Sequence, residues 1–305
     1  MELRHLRYFV AVAEEGGLLA AAEKRLHTSQ PSLSRQIRDL ESEVGVQLLQ
    51  RQARGVTLTE GGWVFLDHGL LALLQVEGAR DAARRAEQPE KVVLSMGFLA
   101  GQEVVWLPHA LRILREEAPD AEIVLSSQSS PELALALMRG KLDVAFLRPE
   151  TQPAGLSFKF LAKEPLIAVL PAGHRLTSRR KIRPRDLARE IYVSSARTSP
   201  VLKSVIQEYA ARVGITLKAA YEGENLPAAM SLVTSTGGVT LIPLYAQNML
   251  TPNVVARALE GVPPTIDLTL GYNDAQPSPL LMKFLARADE LVASVQDQSV
   301  IRYAL

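Results

Sequence analysis

The chain contains no cysteine. That excludes disulfide staples and thiolate metal sites, and it suits a reducing compartment. Its 305 residues carry a net charge of only +1, so any polyanion or membrane site has to be a local patch. No run of about 18 uncharged apolar residues occurs, and no membrane span is expected. The opening MELRHLRYFV is charged from residue 2 and lacks an apolar h-region, which argues against a signal peptide and for a cytoplasmic protein. His5, His27, His68, His109 and His174 form no HxH or HxxxH pair, and GxSxG, P-loop and GxGxxG signatures are missing. Metal chemistry, familiar hydrolases and nucleotide-dependent enzymes thus have no support, and no cofactor is expected. What is present is 47% hydrophobic and 22% charged residues, the balance of a soluble globular protein too long for one core.

The first sixty residues are patterned for helices. Leu3, Leu6, Phe9, Val10 and Ala13 recur at three- and four-residue spacing until Gly16-Gly17 ends the pattern. The alanine-rich LLAAAEKRL is a second helix. At the break His27-Thr28-Ser29, Thr28 or Ser29 can cap a third helix whose first turn takes Pro31. In it Leu33, Ile37, Leu40 and Val44 form one buried stripe, and Gly45 stops it. Gln30, Ser34, Arg35 and Arg38 lie opposite. A plain solvated face has the same pattern. Two short helices, a tight turn and a third helix with a polar exposed entry nevertheless make a helix-turn-helix. Gln and Arg are also the side chains that read adenine and guanine edges bidentately. LLQRQARGVTLTEGG then alternates weakly, with Arg51 and Arg54 flanking a turn at Gly55, as in a β-wing whose arginines reach phosphates. Eight basic residues here are matched by eight acidic ones. The acids collect at Glu14, Glu15, Asp39, Glu41 and Glu43, leaving the four arginines another face to share.

The run LRYFVAVAEEGG…AAEKRLHTSQPSLSRQIRDLESEVGVQLLQR…VTLTEGG closely resembles the winged helix-turn-helix of LysR-type transcriptional regulators. The resemblance implies that Gln30, Pro31, Ser34 and Arg35 face the DNA groove, that Thr28 and Ser29 contact DNA at the helix entry, and that Arg51 and Arg54 contact it from the wing. Arg38 joins this set from the polar face. There is one departure. Between Ala21-Ala22 and Leu26 the chain reads EKR where the family pattern has two residues, so the second helix is expected to be lengthened or bulged.

From Thr59, an N-cap with Glu60 in the first turn, a long helix reaches toward Pro89. Phe65, Gly69, Ala72, Val76, Ala79 and Ala83 alternate at spacings of four and three, a coiled-coil-like seam. Leu66, Leu70, Leu73 and Leu74 widen the apolar face. A helix this apolar needs a cover, and the small residues favour self-association over packing on its own C-terminal domain. The resemblance implies a dimer through this helix, placing two recognition helices on roughly palindromic double-stranded DNA, and a homotetramer. The expected domains are 1–58, the linker 59–88, and 89–305.

After Pro89, strands and helices alternate. Two short α/β units plus a last strand and helix make two lobes, about 89–162 with 268–305, and about 163–267. The chain is expected to cross between them near 161–164 and 265–270. The fold class is α plus α/β: a winged helix-turn-helix, a long linker helix and, as the resemblance implies, a two-lobe domain like a periplasmic binding protein that binds an effector. In parallel α/β sheets ligands sit beyond the carboxyl ends of strands, at helix N-termini. Those positions are Phe98, Leu99, Ala100, Gly101 and Gln102; Gln128, Ser129 and Ser130; Arg148; Ala196, Thr198 and Ser199; Asn225; and Pro243. Hydroxyls beside free backbone N–H groups suit a carboxylate, and Arg148 can fork onto one. Equally, the serines can be simple N-caps, and Arg148 can pair with Glu150 or another carboxylate. The resemblance implies a small organic acid, often aromatic or derived from an aromatic, as effector of a transcriptional regulator that is not an enzyme. Two other readings complete the chain. The basic HRLTSRRKIRPRDLAR (174–189) fits a solvated lobe surface better than a second nucleic-acid patch, and Trp63 and Trp106 are expected in cores.

Overall fold

The computed structural model describes residues 1–52, 55–86, 92–149, 155–195, 199–275 and 277–302. The chain divides into two compact units, Met1–Glu87 and Gln88–Leu305.

In the first unit α1 (Leu3–Glu15) ends on Gly16 in the left-handed region, φ 65°. α2 (Leu18–Ala20) runs directly into a π-helical segment, Ala21–Leu26. A π turn holds more residues than an α turn, so the extra residue of EKR is absorbed as a bulge. The segment closes at His27, the only non-glycine with positive φ (49°) among the described residues. Thr28 N–H reaches back to Ala22 O at 3.1 Å. α3 (Gln30–Val44) follows. Leu33 and Leu40 are fully buried and Ile37 nearly so, against Phe9, Val12, Ala21 and Leu48. β1 (Leu49–Gln52) and β2 (Gly55–Leu58) form an antiparallel hairpin, Leu49 opposite Leu58. The Glu41 carboxylate accepts the N–H groups of Leu48 and Leu49 at 2.8 and 2.9 Å, tying α3 to this wing.

α4 (Glu60–Ala86) is capped by Thr59, whose Oγ1 accepts Gly62 N–H at 2.9 Å. Its first turns cover α1 of the same unit. Phe65 meets Phe9 edge-on, centroids 5.2 Å apart, and Leu66, Leu70 and Leu73 pack on the same core. The start of the expected seam is therefore used within the chain, while Ala72, Ala79 and Ala83 stay exposed. Trp63 does not enter a core: it is 60% exposed. At about 100° per residue it lies roughly a quarter turn off the face that holds Gly62, Leu66, Gly69 and Leu73. No described helix is long and apolar enough to cross a membrane.

The second unit opens with β3 (Val93–Phe98), α5 (Leu107–Glu117), β4 (Glu122–Ser127), α6 (Ser130–Met138) and β5 (Val144–Leu147). β3 lies parallel to both β4 and β5. The sixteen-residue β6 (Leu156–Pro171) joins the two lobes. Up to Pro165 it pairs with β12 (Thr265–Asn273), and from Leu166 with β10 (Thr240–Pro243), then also β11 (Val254–Leu259). The chain thus enters the second lobe along β6 and leaves it at the start of β12. Between these lie β7 (Lys181–Ile182), α7 (Pro184–Leu187), β8 (Tyr192–Ser194), α8 (Pro200–Arg212), β9 (Ala219–Glu222) and α9 (Leu226–Thr236). β7, β11 and the first half of β6 escape a search for apolar runs, because charged residues interrupt KI, VVARAL and LSFKFLAKEP or their flanks. The terminal helix expected as one piece is two, α10 (Pro279–Ala286) and α11 (Ala288–Arg302). Arg287 at the break bonds Glu116, Glu117 and Glu290 at 2.6, 3.1 and 2.7 Å.

The first lobe's core includes Met96, Trp106, Phe146 and Phe284. The second lobe has cores on both faces of its strands, around Leu170, Tyr209 and Leu241, and around Val193, Met230 and Ile242. In the basic stretch 174–189, Ile182 and Leu187 are buried, Asp186 takes Arg183 at 2.9 Å, and Glu190 takes His174 and Arg175. It is a packed lobe surface.

Candidate functional site

Two places combine polar side chains with a shaped surface, one in each unit. The first is the entry of α3. Ser29 is the N-cap, its Oγ accepting Ser32 N–H at 3.4 Å, and Pro31 stands in the first turn. Ser29, Gln30, Pro31, Arg35 and Arg38 are exposed and Thr28 is half-buried. Ser34 departs from the expected exposed face: it is 6% exposed. It stands one residue from Leu33 and three from Ile37, so helical geometry puts it at the margin of the buried stripe. The backbone of Arg51 pairs with Val56 in the hairpin. The Arg51 side chain and Arg54 lie outside the described residues.

The second is a cleft of about 370 Å³ in the C-terminal unit. Its walls are the carboxyl ends of strands from both lobes. Leu99 and Ala100 follow β3, Gln128, Ser129 and Ser130 follow β4, and Arg148 follows β5. Across from them stand Ser199, Asn225 and Pro243. Thr198 and Ala196 lie outside the described residues, and Phe98 packs against the first lobe's core instead. Gly101 and Gln102 are not on the lining. Gly101, at φ 94°, has Met249 Sδ and the Tyr245 ring where a Cβ would go, 2.4 and 2.9 Å away. That turn sends Gln102 inward, where it is fully buried and its Nε2 donates to Glu164 at 3.3 Å.

Arg148 is the charged centre of the cleft. It is 2% exposed, Nη2 donates to Glu164, its backbone N–H to Ser130 Oγ at 2.9 Å, and its guanidinium lies 5.4 Å over the Tyr245 ring. Nη1 is buried without a hydrogen-bond partner. A buried guanidinium with one open donor is costly unless something accepts from it. Burial pushes the Tyr245 phenol up to about 12, the Arg148 charge offsetting only part of this, so Tyr245 stays a neutral group at physiological pH.

The helix N-termini on the cleft differ from one another. At α6, Glu132 Oε2 accepts Ser129 N–H at 2.9 Å and Ser129 Oγ–H at 2.7 Å, a reciprocal capping box. These bonds hold the Glu132 carboxyl below the usual carboxylate range. At α9, Asn225 Oδ1 accepts Ala228 N–H at 2.9 Å. At α8, Ser199 makes no side-chain bond to the first turn. Ser129 and Asn225 are therefore caps that also line a cleft. Glu132, Glu224, Tyr245 and Ile266 line it as well, and Glu164 holds Arg148 from behind. No strand-end rule points to these residues, because they reach the site from within helices or from neighbouring strands. The described residues contain no cluster of three or more His, Asp or Glu able to hold a metal ion. The arrangement suits reversible capture of a small polar anion.

Residues 3–63 match the bacterial regulatory helix-turn-helix protein, lysR family, and residues 87–293 match the LysR substrate binding domain. The Hca operon transcriptional activator HcaR of Escherichia coli (strain K12) is 40% identical over 299 residues, 97% of this chain and 99% of that protein. The HTH-type transcriptional regulator AlsR of Bacillus subtilis (strain 168) is 32% identical over 286 residues, covering 93% and 94%. The crystal structure of CbnR, a LysR family transcriptional regulator, is 27% identical with a TM-score of 0.58, covering 94% of this chain and all of that one. Full-length CbnR complexed with its target DNA is 26% identical with a TM-score of 0.56, covering 96% of this chain and 100% of that one.

Proposed function

This chain belongs to the LysR family of transcriptional regulators, and on that premise we propose how its residues carry out regulation. Gln30, Pro31, Arg35 and Arg38 at the entry of α3 read bases in the major groove, with Thr28 and Ser29 beside them and Arg51 and Arg54 of the wing on phosphates. The observation that carries this is an exposed polar entry on a helix whose other face is fully buried. Ser34, buried as it is, holds the helix in place rather than contacting DNA. Two copies pair through the part of α4 that α1 leaves uncovered, Ala72, Ala79 and Ala83, and present two α3 helices to a roughly palindromic site. Two such dimers form a tetramer, and the protein works in the cytoplasm.

The cleft takes a small organic acid, with Arg148 Nη1 as the charged donor to its carboxylate. A change in lobe angle on binding re-spaces the DNA-binding units. Arg35→Ala should cost about 1–3 kcal/mol of specific binding, the worth of one bidentate base contact. Arg51→Ala should weaken binding to all sequences alike and lower the salt slope by about one. Anisotropy titrations on operator and random duplexes at several salt concentrations separate the two effects. Unchanged operator affinity in Arg35→Ala would remove the recognition-helix assignment.

A further inference from the structure

The charges around the cleft are unequal. Arg148 is already matched by Glu164, leaving Nη1 as its open donor. Against it, two carboxylates line the same space, Glu132 from α6 in the first lobe and Glu224 just ahead of α9 in the second. Glu132 is held ionised by the Ser129 hydroxyl and N–H, and it occupies the helix terminus where an incoming anion would otherwise sit. A cleft of this volume, if compact, is roughly 9 Å across. A ligand that fills it brings its far end within a Debye length of both carboxylates.

We infer that Glu132, facing Glu224 across the cleft, makes this site selective for an acid with one carboxylate and a neutral, hydrogen-bond-donating far end, and rejects dicarboxylates. This rests on the reading of the cleft as an organic-acid site. One open cationic donor accommodates one carboxylate. A second carboxylate meets like charge in a partly desolvated space, where repulsion is several times stronger than in water. A hydroxyl at the same place donates to Glu132 instead, because the capping box uses one carboxylate oxygen and leaves Oε1 for a ligand.

The test is calorimetric titration of the full-length protein with two matched sets. One is benzoate, 4-(hydroxymethyl)benzoate and terephthalate; the other is hexanoate, 6-hydroxyhexanoate and adipate. In the set that binds, the hydroxyl compound should bind about tenfold or more tightly than the dicarboxylate. In Glu132→Gln, whose amide oxygen can still accept from Ser129, that ratio should fall several-fold, mainly by tighter dicarboxylate binding. A dicarboxylate that binds the unmodified protein as well as its hydroxyl counterpart overturns the inference, as does an unchanged ratio in Glu132→Gln. If no monocarboxylate of either set binds, the organic-acid reading itself fails and this selectivity with it.

Discussion

Replacing Glu164 by leucine is expected to destabilise the C-terminal unit by about 3–5 kcal/mol, the usual cost of leaving one member of a buried ion pair uncompensated. Arg148 is 2% exposed, and Glu164 is the carboxylate that accepts from it. Its other neighbour, the Tyr245 ring, offers only a π face, worth about 0.5–2 kcal/mol against a desolvated charge. With Glu164 gone, Gln102 also loses the acceptor for its amide. For a unit of this size the shift in melting temperature should be about 6–20 °C, readable by calorimetry. The double variant Glu164→Leu with Arg148→Met should recover most of the loss, since a buried ion pair replaced by apolar groups is often neutral. A single variant within about 1 kcal/mol of the unmodified protein would mean that Arg148 finds solvent, contrary to its burial. The same pairing bears on function, because an organic acid that reaches Nη1 shares the guanidinium with Glu164.

The second large effect separates two adjacent glycines. Gly62→Ala should cost about 3 kcal/mol or more, the upper range of overpacking, because the obstacle is backbone. A Cβ there would stand 2.1 Å from Leu48 O and 3.0 Å from its carbonyl carbon. That carbonyl accepts Thr59 N–H at 3.0 Å, and Thr59 caps α4 through Gly62 N–H. One contact therefore joins the wing to the long helix. Gly61→Ala, by contrast, meets only Val46 and Thr59 side-chain atoms at 3.7 and 3.8 Å. There the helix preference of alanine, about 1 kcal/mol over glycine, should appear as a small gain. Thermal unfolding and operator binding of the two variants make the check. If Gly62→Ala is as stable as Gly61→Ala, the close approach of α4 to Leu48 is absent in solution.

Much of the fold was legible because its signals are local. Helical spacing gives the stripe Leu33, Ile37, Leu40, and capping chemistry gives Ser29 and Thr59. Chain arithmetic in EKR marks the place where an extra residue becomes a π-helical turn. The strand-end rule locates Leu99, Gln128, Ser129, Arg148, Ser199, Asn225 and Pro243 on one cleft. The failures share a cause too. Trp63 and Ser34 each lie near the edge of an amphipathic face, and whether an edge is covered depends on the neighbouring element, not on the period. Gly101 and Gln102 sit at a strand end as expected, but a left-handed turn points them behind the cleft.

By itself the sequence determined the order of elements, the inward face of each helix, the family and the strand ends that make a site, since these follow from spacing within short segments. Tertiary structure alone decided that Glu164 answers Arg148, that Glu132 closes one helix terminus of the cleft, and that Gly62 but not Gly61 must lack a side chain. Those facts depend on how β6 passes from one lobe to the other and how closely α4 meets the wing. They are distances between residues that no local pattern relates.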